Sequence, residues 1–308
     1  MTIENLNQQF AIENHLQIIE GEGGFAFVKI HNDKADALIS LYGGQVLSYR
    51  KPQQPDVFFL SDKAWYQDGK AIKGGVPICW PWFGNDPQNK GRPAHGFARN
   101  SEWQLSATEQ LANGDTLVEL QLSPNELSRS LWPHEFLLSL KVTVGDELTL
   151  QLTTQNKDSQ AFEITQALHS YFAVEAIDAL RISGLENLSY LDKAKSNSGA
   201  EQKTQQGEIH IEGEVDRIYL QVPETITLKH IAPAHSADAT ISLQSKNSAT
   251  AVVWNPWQQL CEQSADLKPD DYQRFVCVET ANAATDVIKL AAGESFSLQA
   301  KIALKNML

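Results

Sequence analysis

A histidine and a glutamate, each beside a run of apolar residues, are the side chains in this sequence best suited to moving protons. His169 stands in ALHSYF (167–172), and alternation over 162–171 places it on a face with polar and small residues, as in a pocket wall. Glu279 ends the apolar run FVCVE (275–279), where burial would raise its pKa and make it a better base. The pair predicts acid–base chemistry. The alternatives are a half-exposed histidine and a glutamate that emerges into water at a strand end.

Basic residues and glycines are concentrated in the segments KGGVPICWPWFG (73–84) and PAHGFARN (93–100). The glycines and prolines predict loops or strand edges, and we expect the glycines to let a ligand approach the backbone closely. Arginine binds phosphate or carboxylate through a planar fork, and lysine binds them as a point charge. Lys73, Arg92 and Arg99 are therefore candidates for holding an anion. The alternative for each is a solvated surface position.

Two further segments contain side chains that a sugar would use. Asp216, in VDRIY (215–219), is predicted at a strand edge, where its carboxylate would accept hydrogen bonds from hydroxyl groups. The alternative for Asp216 is an ordinary turn or strand-end aspartate. The aromatic segment VWNPW (253–257) would line a pocket or cap the core, and capping is the commoner role of large aromatic residues.

Motifs for nucleotide, NAD and metal binding are missing from the sequence. It has no P-loop, no GxGxxG and no GxSxG nucleophile elbow, and its eight histidines have no metal-site spacing. We therefore expect no cofactor and no metal.

The elements that must position these groups are mainly β-strands. Apolar and polar residues alternate on both sides of Gly145-Asp146, a tight-turn signal, which predicts a hairpin over 136–155. The same period of two recurs in three further segments, 118–122, 226–230 and 296–304. Many strands with few helices indicate an all-β fold, a sandwich or barrel.

Helical patterns are short and no linker is visible. Helices are predicted only around 125–131 and 258–265, and the polar segment 192–207 is predicted to be a surface loop. Because no change in composition divides the chain, we expect a single domain over residues 1–308.

Charge and cysteine content narrow the classes of partner and compartment. The net charge is −13 with no basic block, so nucleic acid and anionic membranes are poor partners. Three cysteines without a CxxC pair favour a reducing compartment. The N-terminus lacks the apolar region of a secretory signal, and no apolar run would span a bilayer. We expect a cytoplasmic protein without a membrane partner.

Four blocks, taken together, resemble the glucose-6-phosphate 1-epimerases (hexose-6-phosphate mutarotases) of the aldose 1-epimerase superfamily. They are KGGVPICWPWFG, PAHGFARN followed by Trp103, ALHSYF, and VWNPW with FVCVETAN. Their order and wording are more specific than any single motif. The resemblance extends from about Phe25 to the final strand and implies a large antiparallel β-sandwich of the galactose mutarotase type.

The resemblance also implies a reaction and a set of residues. The reaction is interconversion of the α and β anomers of a hexose 6-phosphate, with Glu279 as base and His169 as acid. The implied substrate-binding residues are Lys73, His95, Arg99 and Asp216. We expect a small sugar phosphate as the partner, no cofactor, and a monomer.

Two departures from the family pattern and three alternatives accompany this prediction. Lys73 stands where close relatives usually have arginine, which keeps the charge but loses the bidentate fork. Ala94 stands where some relatives have glutamine. The alternatives are a mutarotase of unphosphorylated aldoses, a non-catalytic sugar-phosphate-binding module, and a glycosidase. A glycosidase normally needs two carboxylates, of which the sequence nominates one.

Overall fold

Short helices and many strands make up the computed structural model, which describes residues 1–194, 200–229 and 239–306. The helices are α1 (Ile3–Phe10), α2 (Glu126–Leu131) and α3 (Trp257–Gln263). The first eleven strands are β1 (Leu16–Glu20), β2 (Ala26–His31), β3 (Asp36–Ser40), β4 (Gln45–Arg50), β5 (Ile78–Cys79), β6 (Gln104–Gln110), β7 (Thr116–Leu122), β8 (Phe136–Val144), β9 (Leu148–Asn156), β10 (Phe162–Ile164) and β11 (Gln166–Leu168). The others are β12 (Tyr171–Ala173), β13 (Arg181–Ser183), β14 (Ser189–Asp192), β15 (Glu201–Thr204), β16 (Val215–Leu220), β17 (Thr225–Lys229), β18 (Ala239–Lys246), β19 (Thr250–Asn255), β20 (Phe275–Asn282), β21 (Ile288–Leu290) and β22 (Ser295–Asn306).

Two eight-stranded sheets dominate the fold. Sheet I has the order β13-β17-β18-β22-β9-β8-β7-β6. Sheet II has the order β15-β14-β16-β19-β20-β11-β5, with β12 also paired to β20. Strands β1 to β4 form a smaller sheet in chain order, and β10 pairs with β21. The strands pair antiparallel within each sheet, so the predicted all-β antiparallel sandwich is confirmed.

The predicted hairpin over 136–155 is present as β8 and β9. Leu140 lies opposite Leu152, and both side chains are fully buried. At the turn, the backbone N–H of Gly145 donates to the carbonyl of Glu147 at 3.1 Å. The period-two pattern therefore folds as predicted, because one face of each strand is turned into the core.

Sheet II is buried on both faces at its centre. Val276 and Val278 of β20 belong to the large core shared with sheet I, whereas Phe275 and Cys277 belong to a separate cluster on the opposite face. By the same alternation, Glu279 points to the face away from sheet I. A strand that carries a catalytic candidate is thus held by packing on both sides.

A hydrogen bond joins the two sheets behind this face. The hydroxyls of Ser245, on β18, and Thr280, on β20, lie 2.7 Å apart, and both side chains are buried. Because Thr280 follows Glu279 directly, this bond helps to fix the register of the strand beside the glutamate.

Secondary structure differs from the sequence prediction at helix α1 and at strand β15. Helices α2 and α3 occupy the two predicted helical segments, but α1 was not predicted. The segment 192–207, predicted to be a loop, contains strand β15, because its residues extend the edge of sheet II beside β14. The pattern over 226–230 forms β17, and His230 lies outside the described residues. No helix in the described part of the chain is long and apolar enough to cross a membrane.

Candidate active site

A cavity of about 220 Å³ opens on the face of sheet II that points away from sheet I. It is lined by Lys73, Phe83, His95, Arg99, His169, Tyr171, Lys193, Asp216, Val252, Trp254 and Glu279. The structure therefore brings all six predicted site residues to one place, although they come from five separate segments of the chain. Lys193, Tyr171, Phe83 and Val252 were not predicted as site residues.

His169 and Glu279 are close neighbours at the base of this cavity. Nε2 of His169 lies 3.3 Å from Oε1 of Glu279, and the two side chains are 8% and 1% exposed. Among the described residues, Oε2 of Glu279 and Nδ1 of His169 have no hydrogen-bond partner. A buried polar atom without a partner is costly, so these atoms are available to a ligand that brings hydroxyl groups.

The two side chains are shifted toward their neutral forms. Burial raises the pKa of Glu279 well above its usual value, and the nearby Asp216 charge raises it further. Burial also lowers the pKa of His169 well below its usual value, aided by His95, Arg99 and Lys73. The two shifts act in the same sense and favour a neutral carboxyl beside a neutral imidazole.

The strand predicted to carry His169 is interrupted at that residue. Strand β11 ends at Leu168 and β12 begins at Tyr171, so His169 lies in the break between them. Its backbone N–H donates to the carbonyl of Pro77 at 3.0 Å. Its ring stacks on Tyr171, with the centroids 4.8 Å apart. The prediction of one continuous strand was wrong, because alternation alone does not show that the neighbour changes from β5, beside β11, to residues 57–59, beside β12.

Glu279 lies within a strand rather than at its end. It is the fifth of eight residues of β20, opposite Val252 on β19. The alternative in which this glutamate emerges into water is therefore wrong, because neighbouring strands and the cavity wall cover it.

His95 forms another wall of the cavity in a left-handed backbone conformation, with φ 62°. Its backbone N–H donates to the carbonyl of Gly84 at 2.6 Å, and its Nδ1 accepts from the Gly84 N–H at 3.4 Å. The ring centroid lies 5.8 Å from that of His169. Burial and the Arg99 charge lower the pKa of His95 to about 3. His95 is therefore a neutral imidazole at neutral pH.

The two predicted cations reach the cavity from connecting segments. Arg99 lies in a short 3-10 turn, Ala98–Asn100, and its Nη2 donates to the carbonyl of Ala94 at 3.0 Å. Nε of Arg99 is buried and has no partner among the described residues. Nζ of Lys73 lies 3.4 Å from Oδ2 of Asp266. Arg99 thus keeps a free donor, whereas the charge of Lys73 is already balanced.

Asp216 and Lys193 form an ion pair at the mouth of the cavity. Oδ2 of Asp216 lies 3.5 Å from Nζ of Lys193, and the side chains are 28% and 39% exposed. Burial raises the pKa of Asp216, and the Lys193 charge opposes that shift. No sequence signal marked Lys193, since it is one lysine in a polar segment and only the pairing of β14 with β16 brings it to Asp216.

The glycines of the basic segments serve backbone packing, which corrects the expectation that they admit a ligand. A Cβ on Gly75 would lie 2.2 Å from the carbonyl oxygen of Val46, and one on Gly96 would lie 1.9 Å from that of Trp80. Among the glycines of these two segments, Gly84 alone has open space around the missing Cβ. These glycines are needed because separate segments of backbone touch there.

Arg92 lies apart from the cavity. Its guanidinium donates to Asp86 and stacks 4.2 Å above the ring of Trp82. Arg92 is neither an anion ligand nor a solvated surface cation. It anchors the loop that precedes His95.

The aromatic residues divide between the cavity and the core. Trp254 lines the cavity, as one reading of VWNPW predicted. Trp80 is fully buried, and its Nε1 donates to the hydroxyl of Thr154 at 2.9 Å. Trp254 is thus the tryptophan placed to meet the flat face of a sugar ring.

Sequence comparison identifies relatives over most of the chain. The family model for aldose 1-epimerase matches residues 27–303. A protein from Cenchrus ciliaris named "Putative glucose-6-phosphate 1-epimerase" is 36% identical over 84% of this chain and 78% of its own length. A protein of the same name from Escherichia coli K12 is 34% identical, with 83% of each chain covered.

Solved structures show the same fold. A structure titled "a putative mutarotase" from Salmonella typhimurium is 28% identical and superposes with a TM-score of 0.87, covering 99% of both chains. A galactose mutarotase related enzyme from Lactobacillus acidophilus, 13% identical, has a TM-score of 0.72 over 91% of this chain and 97% of its own. The predicted galactose mutarotase type of fold is confirmed. With the family model matched over most of its length, this chain belongs to the aldose 1-epimerase family of isomerases.

Proposed function

We propose that this enzyme interconverts the α and β anomers of a hexose 6-phosphate, most directly glucose 6-phosphate. The observation that carries the proposal is an acid–base pair, His169 and Glu279, buried in a cavity that three cationic side chains also line. The names of the relatives from Cenchrus ciliaris and Escherichia coli agree with it. Membership of the aldose 1-epimerase family supports anomer interconversion as the reaction. The three cations support a phosphate group on the substrate.

The reaction needs only proton transfer at two oxygen atoms of the sugar. Glu279 as carboxylate removes the proton from the C1 hydroxyl, while His169 as imidazolium protonates the ring oxygen. The bond between C1 and the ring oxygen breaks, and the open aldehyde rotates about the C1–C2 bond. Reversal of the two transfers closes the ring as the other anomer. Each positioned acid or base supplies about 10²–10⁴-fold acceleration.

The charges in the cavity supply a way to set the required protonation states. Burial lowers the pKa of His169, and the Arg99 and Lys73 charges lower it further. A phosphate dianion beside these cations cancels part of their field, so the pKa of His169 rises. The 3.3 Å gap between Oε1 of Glu279 and Nε2 of His169 is a path by which a proton can pass from the glutamate to the histidine. Substrate binding thereby favours a carboxylate base beside an imidazolium acid.

The other predicted residues have binding roles in this proposal. Asp216 accepts hydrogen bonds from sugar hydroxyls, and neutral His95 donates or accepts at the ring. Arg99 binds the phosphate through its guanidinium, with Lys73 as a second cation. In this proposal Lys73 attracts the phosphate as a point charge, while its ammonium also faces Asp266. The buried free thiols of Cys79, Cys261 and Cys277 are in keeping with a cytoplasmic setting.

NMR exchange spectroscopy tests the proposal directly. Exchange between anomers is measured with and without enzyme on glucose 6-phosphate, galactose 6-phosphate and free glucose. We expect acceleration on the phosphates that exceeds acceleration on glucose. Equal acceleration on glucose would instead establish a mutarotase of unphosphorylated aldoses. Binding of glucose 6-phosphate without acceleration would establish a binding module.

A further inference from the structure

We propose that Lys193 determines specificity in this enzyme by contacting the phosphate group of the substrate. The inference rests on the proposed hexose 6-phosphate activity and adds a residue to it. Lys193 follows strand β14 directly and lines the same cavity as the acid–base pair.

The cavity has a buried end and an open end. Glu279 and His169 are 1% and 8% exposed, whereas the side chain of Lys193 is 39% exposed. Because C1 and the ring oxygen must meet the buried pair, the exocyclic C6 that carries the phosphate is the group able to extend toward the opening. A dianion is also least costly where water still reaches it. The phosphate therefore belongs at the end where Lys193 lies.

The position of Lys193 is fixed by its backbone. Its N–H donates to the carbonyl of Asp216 at 2.8 Å, so the lysine is tied to strand β16 at the very residue its ammonium faces. A tether at the main chain leaves the long side chain free to reorient. The ammonium carries three donors and needs only one for Asp216.

The two lysines of the cavity differ in what balances their charge. Lys73 faces Asp266, a carboxylate that does not line the cavity and would remain its partner when substrate is bound. Lys193 faces Asp216, which lines the cavity and is the group we expect to turn to the sugar hydroxyls. Substrate binding thus releases Lys193 from its partner and supplies an anion in its place.

The test compares Lys193→Gln with a matched control, Lys203→Gln. Lys203 lies on the neighbouring strand β15, 41% exposed, with its Nζ 3.0 Å from Oδ2 of Asp192, and it does not line the cavity. For Lys193→Gln we expect kcat/KM on glucose 6-phosphate to fall about tenfold, as for a lost hydrogen bond to a charged group. Activity on free glucose should stay within about twofold, by the same argument. Lys193→Arg should retain phosphate activity, and Lys203→Gln should match the wild type.

Inhibition by inorganic phosphate gives a second readout. We expect phosphate to compete with glucose 6-phosphate and its inhibition constant to rise in Lys193→Gln only. If Lys193→Gln loses activity equally on both sugars, Lys193 acts through Asp216 and the inference is overturned. Unchanged inhibition by phosphate would overturn it as well. A wild-type enzyme that does not accelerate anomer exchange on any phosphate would instead refute the proposed function.

Discussion

His169 Nε2 lies 3.3 Å from Glu279 Oε1, although 110 positions separate the two residues in the chain. Strand β20 carries the glutamate, and the break between β11 and β12, both paired to β20, carries the histidine. The pair is therefore built by adjacent strands of one sheet. The pairing of these strands in sheet II sets the distance between the two side chains.

Removing either member of the pair should abolish most of the activity without unfolding the enzyme. We expect His169→Asn and Glu279→Gln each to lower kcat on glucose 6-phosphate by about 10²–10⁴-fold. Glu279→Gln keeps the volume of the side chain, and His169→Asn keeps a polar, though smaller, side chain. NMR exchange spectroscopy measures the rate, and circular dichroism checks the fold. A variant with a wild-type rate would remove that residue from the mechanism.

Arg99→Ala should distinguish phosphate recognition from general sugar binding. A lost hydrogen bond between charged groups is worth about 1.5–3 kcal/mol, which corresponds to an about 10- to 100-fold lower kcat/KM on glucose 6-phosphate. Free glucose, which has no phosphate, should lose far less. Comparable losses on the two sugars would show that Arg99 does not contact the phosphate.

His95 should make the enzyme less stable in acid. Its pKa falls from 6.5 to about 3 on folding, so the folded state resists protonation that the unfolded chain accepts. The contribution of neutral His95 is present above pH 6.5 and is lost as the pH falls from 6.5 toward 3. In His95→Gln we therefore expect a smaller drop in the free energy of unfolding between pH 7 and pH 5.

Urea unfolding at the two pH values measures this difference. His210→Gln is the matched control, because His210 is exposed and lies outside the cavity. The control should lose as much stability as the wild type over the same interval. An identical drop in His95→Gln would mean that His95 does not resist protonation in the folded state.

Gly75→Ala and Gly84→Ala should differ in their cost to stability. Both positions have positive φ, which costs a non-glycine residue about 1–2 kcal/mol. At Gly75 the new Cβ would also meet the backbone of Val46, and overpacking of this kind costs about 1–3 kcal/mol more. Urea denaturation measures both variants. Equal losses would show that the backbone contact at Gly75 relaxes freely.

The strands could be predicted from the sequence because alternation of polarity is local. The hairpin around Gly145 needs no information beyond its own residues. The break at His169 and the strand β15 could not be predicted in this way, because both depend on partners far along the chain. Helix α1 could not be predicted for a similar reason. Its Leu6 and Phe10 are buried because strands distant in the sequence pack against them.

The site residues were found from motifs and from the cost of burying charge, and their roles stay predictions. The same reasoning missed Lys193. A lysine in a polar segment is expected to be exposed, and an exposed charge gives no reason to infer a function. It also misassigned the glycines, since a sequence shows that a Cβ is missing but not what would occupy its place. Extension of one domain over residues 1–308 and a monomeric state also stay predictions.

Strand β20 is enclosed on both faces, whereas Lys73, Arg99 and Lys193 all project from connecting segments. In the proposed mechanism, the carboxylate that opens the ring therefore lies on a rigid strand, whereas the cations that recognise the phosphate lie on loops. A designer who wished to retarget this enzyme to another sugar would exchange the loops and leave the sheet alone. Natural divergence has the same route open to it, with new substrates acquired at the rim while the chemistry is inherited unchanged.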